Sequence, residues 1–264
     1  MKISVPQAPI APIPFDVSVL DRPLKLGDRL RLTVMRYVSR HPNLVWFDPL
    51  RLMRWHVLHE AHRDSYDLIV DGYPRSANSF LAMAFKVANP QVRVRSHCHW
   101  PTHVIAALRR GKAACVLIRQ PEDAIASTAV HTRGTLAWAT RRYVDYYEAL
   151  LPYRDRMLVI TFDQATTRLR DVFEEMNQRF GLTLNLPVVD DDFRHAIEEQ
   201  VRTLDWGQDP LKVSLPSPAR APHLKELKRR LQAPGMAVDL HRADELYDLF
   251  ATCPTALGGV RRGV

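Results

Sequence analysis

The sequence predicts an α/β fold, with three layers (α/β/α) built around a mainly parallel sheet and extra helices at both ends. Short apolar segments with strand character recur in the middle of the chain, at residues 66–71, 91–97, 114–118 and 157–161. The stretches between them have the apolar spacing of helices. Strands that alternate with helices of about 10–15 residues form βαβ units, which pair in parallel and place helices on the sheet faces.

The central helices are expected between these strands, and two of them begin with a proline, whose fixed φ suits the first helical turn. These two prolines are Pro101 and Pro121. The expected central helices cover residues 78–88, 101–110, a segment from residue 121, 136–151 and 168–180.

The flanks of the chain add further elements to one expected domain that covers residues 1–264. Residues 1–22 are Pro-rich and predict an extended arm, and the apolar spacing predicts helices at residues 26–40 and 49–63. The predicted core is residues 66–181, and a helical part follows at residues 182–264. Its helices are expected near residues 192–204, 223–231 and 243–250.

The composition is that of an ordinary globular protein, with 46% hydrophobic and 25% charged residues among 264. No apolar run approaches the roughly 18 residues that a membrane span needs, so we expect no integral membrane segment. The cysteines Cys98, Cys115 and Cys253 lack metal-ligand spacing, and their odd number argues against a disulfide framework. A reducing, cytoplasmic location is the expectation.

The net charge of +8 is compatible with three kinds of anionic partner: nucleic acid, a membrane surface or a small polyanionic ligand. No cluster of basic residues resembles a nucleic-acid-binding arm, so we expect no nucleic-acid partner. The sequence gives no indication of the oligomeric state.

The most informative stretch follows the first predicted strand, where an apolar run meets Gly72 and then the start of a helix. This is the skeleton of a phosphate-binding loop, G-x-x-x-x-G-K-[ST], with Gly72 and Ser79 in register. Ala77 and Asn78 replace the second Gly and the Lys, and the cation of the loop is Arg75 instead. Without the Lys that contacts the β- and γ-phosphates, the loop predicts an anion other than ATP.

A second segment, residues 114–127, is another apolar strand that ends in a cation, Arg119. Pro121 follows in the expected first helical turn, with Asp123 close behind it and Ser127 about two turns into the helix.

Together the two segments resemble the sulfotransferases that use 3′-phosphoadenosine 5′-phosphosulfate (PAPS). Tyr73 to Ser79 matches the family loop Y-P-[KR]-S-G-[NT]-[ST], with Ala77 in place of the Gly. Arg119, Asp123 and Ser127 match the second motif, R-[DN]-P-x-D-x-x-x-S, about 45 residues downstream. The resemblance covers roughly residues 66–181, less than half of the chain, and implies a P-loop-like nucleotide-binding core.

The resemblance implies that PAPS is the co-substrate and adenosine 3′,5′-bisphosphate (PAP) the product. It places the loop on the 5′-phosphosulfate, with Arg75 on the bridging oxygen, and it places Arg119 and Ser127 on the 3′-phosphate. Phe80 and Phe162 match aromatic positions beside the adenine, whereas the match of residues 261–263 to the family's R-K-G clamp is expected to be accidental. The implied loop residues are Arg75, Ser76, Ala77, Asn78, Ser79 and Phe80.

Ala77 is the main departure from the family loop. A position that requires φ > 0 would penalise Ala relative to Gly, whereas the first residue of a helix would accept it. We expect the helix to begin there, which would make Ala77 harmless.

Two histidines are candidates for the base that takes the acceptor's proton. The segment Arg95-Ser-His97-Cys-His99-Trp-Pro101 resembles the family's K-T-H-x-P, whose His is the catalytic base. Alignment on Arg95 selects His97 and alignment on Pro101 selects His99. The sequence ranks His97 first and indicates no metal ligand set.

The expected function is therefore transfer of a sulfuryl group from PAPS to a hydroxyl, or to an amine, of a small-molecule or glycan acceptor, without a metal. One alternative is a P-loop kinase or other nucleotide phosphotransferase, which a requirement for Mg²⁺ would distinguish. The other alternative is a non-catalytic module that binds a nucleotide. The sequence does not identify the acceptor.

Overall fold

A computed structural model of the chain describes residues 26–40, 66–204, 209–253 and 255–258. Three expectations fall outside these residues: the extended arm at residues 1–22, the helix at residues 49–63 and the R-K-G match at residues 261–263.

Within the described residues the sheet has four strands, all parallel, in the order β2-β1-β3-β4. In chain order they are β1 (Leu68–Gly72), β2 (Val94–Ser96), β3 (Ala113–Ile118) and β4 (Leu158–Thr161). The four predicted strands and the α/β class are confirmed. From β1 the chain continues to β2 on one side and later returns to β3 on the other, so the strand order reverses between β1 and β3. In open α/β sheets, ligands bind outside the carboxyl ends of the strands at such a point.

The helices of the described residues surround this sheet. In chain order they are α1 (Leu26–Arg40), α2 (Asn78–Ala88), α3 (Pro101–Arg109), α4 (Pro121–Thr132), α5 (Leu136–Leu150), α6 (Phe162–Thr167), α7 (Leu169–Phe180), α8 (Asp191–Leu204), α9 (Ala221–Leu231) and α10 (Ala237–Ala251). Short 3₁₀ helices lie at Leu151–Arg156 and Pro218–Arg220. None of the described helices is long and apolar enough to cross a membrane.

Helices cover both faces of the sheet, because successive strand residues point to opposite sides. On one face, side chains such as Ile69 and Val116 pack with α3, α4, α5, α9 and α10. On the other face, Val70 and Leu117 pack with α2, α7 and α8. Each helical layer thus buries an apolar surface against the sheet, which gives three layers.

Three elements differ from the predicted pattern, and one of them, α10, begins at Ala237 rather than near residue 243. The second strand was expected over residues 91–97 but forms only at Val94–Ser96, because the backbone at His97 turns to φ 60° and leaves the extended region. Residues 162–167 form the short helix α6, where no helix was predicted. It begins with a capping box in which Thr161 and Gln164 each satisfy a main-chain N–H of the other.

Candidate functional site

Gly72 ends β1 and pairs with Leu117 of β3. A Cβ atom at this position would lie 2.5 Å from the main-chain oxygen of Leu117 and 2.9 Å from Asn78 Oδ1. Only glycine therefore allows the strand to leave the sheet here and lead into the loop formed by residues 73–77.

Side chains from two helices hold this loop by its carbonyl groups. Asn78 Nδ2 donates to the Tyr73 oxygen at 2.9 Å, and Thr128 Oγ1 donates to the Pro74 oxygen at 3.2 Å. Asn78 is 2% exposed and Ser76 is fully buried. We therefore expect these two residues to offer a ligand only their main-chain N–H groups, rather than the Ser76 hydroxyl.

A group of tyrosines lies beneath the ends of β1 and β3. The hydroxyl of Tyr73 donates to the Ala139 oxygen, that of Tyr143 to the Arg119 oxygen and that of Tyr147 to the Leu117 oxygen, at 2.8–2.9 Å. Burial raises the pKa of Tyr73 to about 12, so its hydroxyl remains a donor at neutral pH. The three tyrosines tie the two strand ends to α5.

Backbone strain is concentrated at the same edge of the sheet. Among the described residues, five non-glycine residues have positive φ, and four of them follow β1 or β2: Arg75, Ala77, His97 and His99. Such conformations persist where the surrounding structure enforces them, and they cluster at functional sites. The strain therefore marks the two loops at this edge as one candidate site.

The expectation that Ala77 would be a harmless first helical residue is wrong. Ala77 precedes α2 with φ 70° and ψ 19°, in the left-handed region, and the helix begins at Asn78. At this position an L-residue brings its Cβ close to the following carbonyl oxygen, a contact that Gly avoids.

Replacing Ala77 with Gly is expected to stabilise the protein by about 1 kcal/mol, because it removes this steric cost. The free energy of unfolding, measured with urea, tests this. Ala82→Gly, inside α2, is the matched control and should destabilise by a similar amount. A loss of stability in Ala77→Gly would mean that the left-handed conformation is not under strain.

The start of α2 is suited to binding an anion. Ala77 precedes the helix and no side chain caps it. The first N–H groups of a helix lack partners within the helix, and its dipole favours negative charge there. These main-chain groups face the reversal point between β1 and β3, where the α/β fold places its ligands.

The two motifs meet through Arg75, Arg119 and Ser127. Arg75 Nε donates to Ser127 Oγ at 3.1 Å, and Arg119 Nη1 donates to the Arg75 oxygen at 3.0 Å. The loop cation Arg75 therefore contacts Ser127, which lies in the second turn of α4. Ser127 is the residue expected to bind the 3′-phosphate. Arg119 supports the loop from the end of β3.

Arg119 also stacks on the predicted adenine-side aromatic residue. Its guanidinium lies 4.0 Å from the centre of the Phe162 ring and 3.8 Å from the Asp123 carboxylate. Burial lowers the pKa of Arg119, but arginine remains charged in proteins. Phe80 is half-buried and packs against the apolar cluster on the α2 side of the sheet.

Further cations, which sequence reasoning missed, lie beside Arg75. Arg75 Nη2 and Arg220 Nη1 both donate to the Val213 oxygen, at 3.0 and 2.7 Å, and Arg220 is 5% exposed. Burial, together with the charges of Arg75, Arg220 and Lys212, lowers the pKa of His131 to about 4. No sequence signal linked residues 212–220 to this site, because they are distant in the chain and match no motif.

His97 bridges the two loops. Its Nε2 lies 2.7 Å from Ser79 Oγ on α2, and its Nδ1 lies 2.9 Å from Ser96 Oγ at the end of β2. Because each hydroxyl can donate or accept, these contacts fit either neutral tautomer of His97.

His99 has a defined tautomer. Its Nδ1 lies 3.0 Å from the Gly72 oxygen, which can only accept a hydrogen bond, so Nδ1 carries a proton. The neutral ring then has its lone pair on Nε2, where it can accept a proton. The rings of His97 and His99 are 6.0 Å apart.

No protein-family model matches the chain, and no curated protein matches it significantly. The described residues hold no group of three His, Cys, Asp or Glu side chains that could bind a metal ion. Function is therefore inferred from the geometry of this site.

Proposed function

We propose that this protein is a sulfotransferase that moves a sulfuryl group from PAPS to a hydroxyl or amine of a small-molecule or glycan acceptor. The observation that carries the proposal is the contact between the two motifs, where Arg75 of the loop donates to Ser127 Oγ at 3.1 Å. The two motifs, about 45 residues apart in sequence, follow β1 and β3, which are neighbouring parallel strands. Here they share one edge of a parallel sheet.

The chemistry of the donor groups suits a nucleotide with two anionic ends. The uncapped start of α2 offers main-chain N–H groups for the 5′-phosphosulfate. Arg119, Arg220 and Ser127 offer cations and a hydroxyl for the 3′-phosphate, with Arg75 between the two groups. The guanidinium groups of Arg75 and Arg220 repel each other where they meet at the Val213 oxygen. An anion bound beside them would offset this repulsion through charge-assisted hydrogen bonds.

PAPS supplies the sulfuryl group, and the residues of this chain hold the anion and move a proton. Arg75 can place positive charge where the bridging oxygen of the departing nucleotide becomes negative, which stabilises the transition state more than the ground state. We assign the general base to His99, because its Nδ1–H is held by the Gly72 oxygen and its Nε2 can take the acceptor's proton. His97, beside Ser79, supports the loop.

Calorimetry should show that PAP binds more tightly than AMP, because only PAP has the 3′-phosphate. Replacing Arg119 with Ala is expected to narrow this difference by about 1.5–3 kcal/mol, the scale of a charge-assisted hydrogen bond. Comparing the two ligands isolates the 3′-phosphate, since any change in the loop affects both. Arg93→Ala, at the opposite end of the sheet in an ion pair with Asp67, is the control.

Equal affinities of PAP and AMP would remove the main support for a sulfotransferase. Transfer that EDTA abolishes and Mg²⁺ restores would favour a phosphotransferase. Tight binding of PAP without transfer to any of a broad set of hydroxyl and amine acceptors would favour a non-catalytic binding module.

Binding of PAP should raise the pKa of His131. The charges of Arg75, Arg220 and Lys212 lower this pKa, and a bound anion would offset them. An NMR titration of the histidine Cε1–H signals with and without PAP measures the change. The exposed His195 on α8 is the internal control, and an unmoved His131 would place the anion away from this cluster.

A further inference from the structure

Asp71 is a fully buried carboxylic acid that the loop motif does not explain. It lies in β1 immediately before Gly72, and it is 0% exposed. Its Oδ1 accepts a hydrogen bond from the main-chain N–H of His99 at 3.0 Å and lies 3.7 Å from His99 Nδ1. Burying a carboxyl group costs free energy unless the group is hydrogen-bonded or paired with a charge. The contact of Asp71 with His99 therefore needs a physical explanation.

The contact fixes both the backbone and the ring of His99. The residue has φ 52°, a conformation that an L-residue adopts at a cost of about 1 kcal/mol or more. The bond from its N–H to Asp71 holds that conformation. The Gly72 oxygen accepts a hydrogen bond from Nδ1 of the ring. His99 is thus held at two points by the adjacent β1 residues Asp71 and Gly72.

We propose that Asp71 is a positioning residue for His99, which orients the imidazole and stabilises the imidazolium that forms when Nε2 accepts a proton. This proposal rests on the function proposed above. In the step, the acceptor's O–H bond breaks, its proton bonds to His99 Nε2, and the electron pair remains on the acceptor oxygen. Nδ1 keeps its proton and donates it in a hydrogen bond to the Gly72 oxygen. The Asp71 carboxylate lies beside the new positive charge of the imidazolium.

The acid–base properties of the pair agree with this geometry. Burial raises the pKa of Asp71 to about 7, although the hydrogen bond from the His99 N–H and the nearby Tyr146 hydroxyl lower it. An imidazolium 3.7 Å away favours the ionised carboxylate. At this separation the protonation of each group affects that of the other.

Other titratable groups face the pair from its own loop and from α5. His97 and Cys98 immediately precede His99 in the chain. The Tyr146 and Tyr147 side chains approach Asp71 from α5. Burial raises the pKa of both tyrosines, so they are neutral donors across the range of interest. A pH effect assigned to Asp71 and His99 must therefore be distinguished from an effect of His97 or Cys98. The variants His97→Ala and Cys98→Ala are the controls, because a pH effect of the pair should persist in both.

The first test is an NMR titration of His99 in the full chain, with Asp71→Asn as the variant and His99→Gln for assignment. We expect wild type to show a proton on Nδ1, and Asp71→Asn to show a lower pKa of His99 together with a smaller fraction of the Nδ1–H tautomer. An unchanged pKa and tautomer would overturn the proposal. This measurement needs no activity, so it separates failure of the pair from failure of the proposed sulfotransferase function.

The second test is the pH dependence of kcat for transfer from PAPS. In Asp71→Asn the ascending limb should move to lower pH and the plateau should fall about tenfold, because the base is weaker, while KM for PAPS stays unchanged. A merely structural role would raise KM or lower the folded fraction without moving the limb, and that result would contradict the proposal.

Tyr146→Phe keeps the test decisive if Asp71→Asn does not fold. It removes a hydroxyl that lowers the pKa of Asp71 and leaves the strand intact. Less of the Asp71 carboxylate is then ionised beside His99, so the ascending limb should move to lower pH, in the same direction as in Asp71→Asn but by a smaller amount. A limb that stays in place would show that Asp71 does not govern the base.

Discussion

Replacing His99 with Ala is expected to lower turnover by about 10²–10⁴-fold, the usual contribution of a positioned general base. The affinity for PAP should remain nearly unchanged, because His99 contacts the end of β1 rather than the anion-binding groups. Steady-state kinetics of the purified variant, combined with calorimetry for PAP, measures both quantities.

His97→Ala is the matched comparison. We expect a smaller loss of turnover and weaker binding of PAP, because Ser79 on α2 loses the imidazole 2.7 Å away. The opposite ranking would support the sequence alignment on Arg95, which placed His97 first. If neither variant changes turnover, the histidine mechanism is wrong, and a carboxylate such as Glu122 or Asp163 becomes the candidate base.

Replacing Gly72 with Ala is expected to destabilise the fold by roughly 3 kcal/mol or more, the upper range for overpacking a buried position. The new Cβ would meet a main-chain oxygen of β3 at 2.5 Å, and neither strand can move away without breaking the β1–β3 ladder. Urea denaturation followed by circular dichroism gives the change in the free energy of unfolding.

Gly235→Ala provides the control, because a Cβ at this exposed glycine would meet nothing within 4 Å. It should change stability by less than about 0.5 kcal/mol, as most surface substitutions do. If Gly72→Ala proved as mild as this control, β1 and β3 would not approach each other as closely as described.

The strands and most helices followed from local sequence. The runs that became β1, β3 and β4 are short, apolar and buried on both faces, which is the pattern of parallel strands. The helices at Pro101 and Pro121 begin where the sequence predicted them. These features depend on periodicity and on residues next to each other in the chain, so sequence alone was sufficient.

The details of the site depend on contacts between distant segments, which local sequence does not encode. Ala77 was expected inside the helix, because a left-handed alanine is enforced only by the packing around it. Arg220 meets Arg75 through the Val213 oxygen, across nearly 150 residues of chain. The tautomer of His99 is set by a carbonyl of β1, which no motif includes.

The tyrosines beneath the strand ends affect the rate at which a nucleotide could bind. The hydroxyls of Tyr73, Tyr143 and Tyr147 donate to main-chain oxygens of the protein itself, so these bonds need no ligand. A loop held by such bonds loses less binding energy as conformational entropy than a loop that must first be ordered. Encounters with an anionic nucleotide would then be limited by diffusion and electrostatic attraction rather than by a slow rearrangement of the loop.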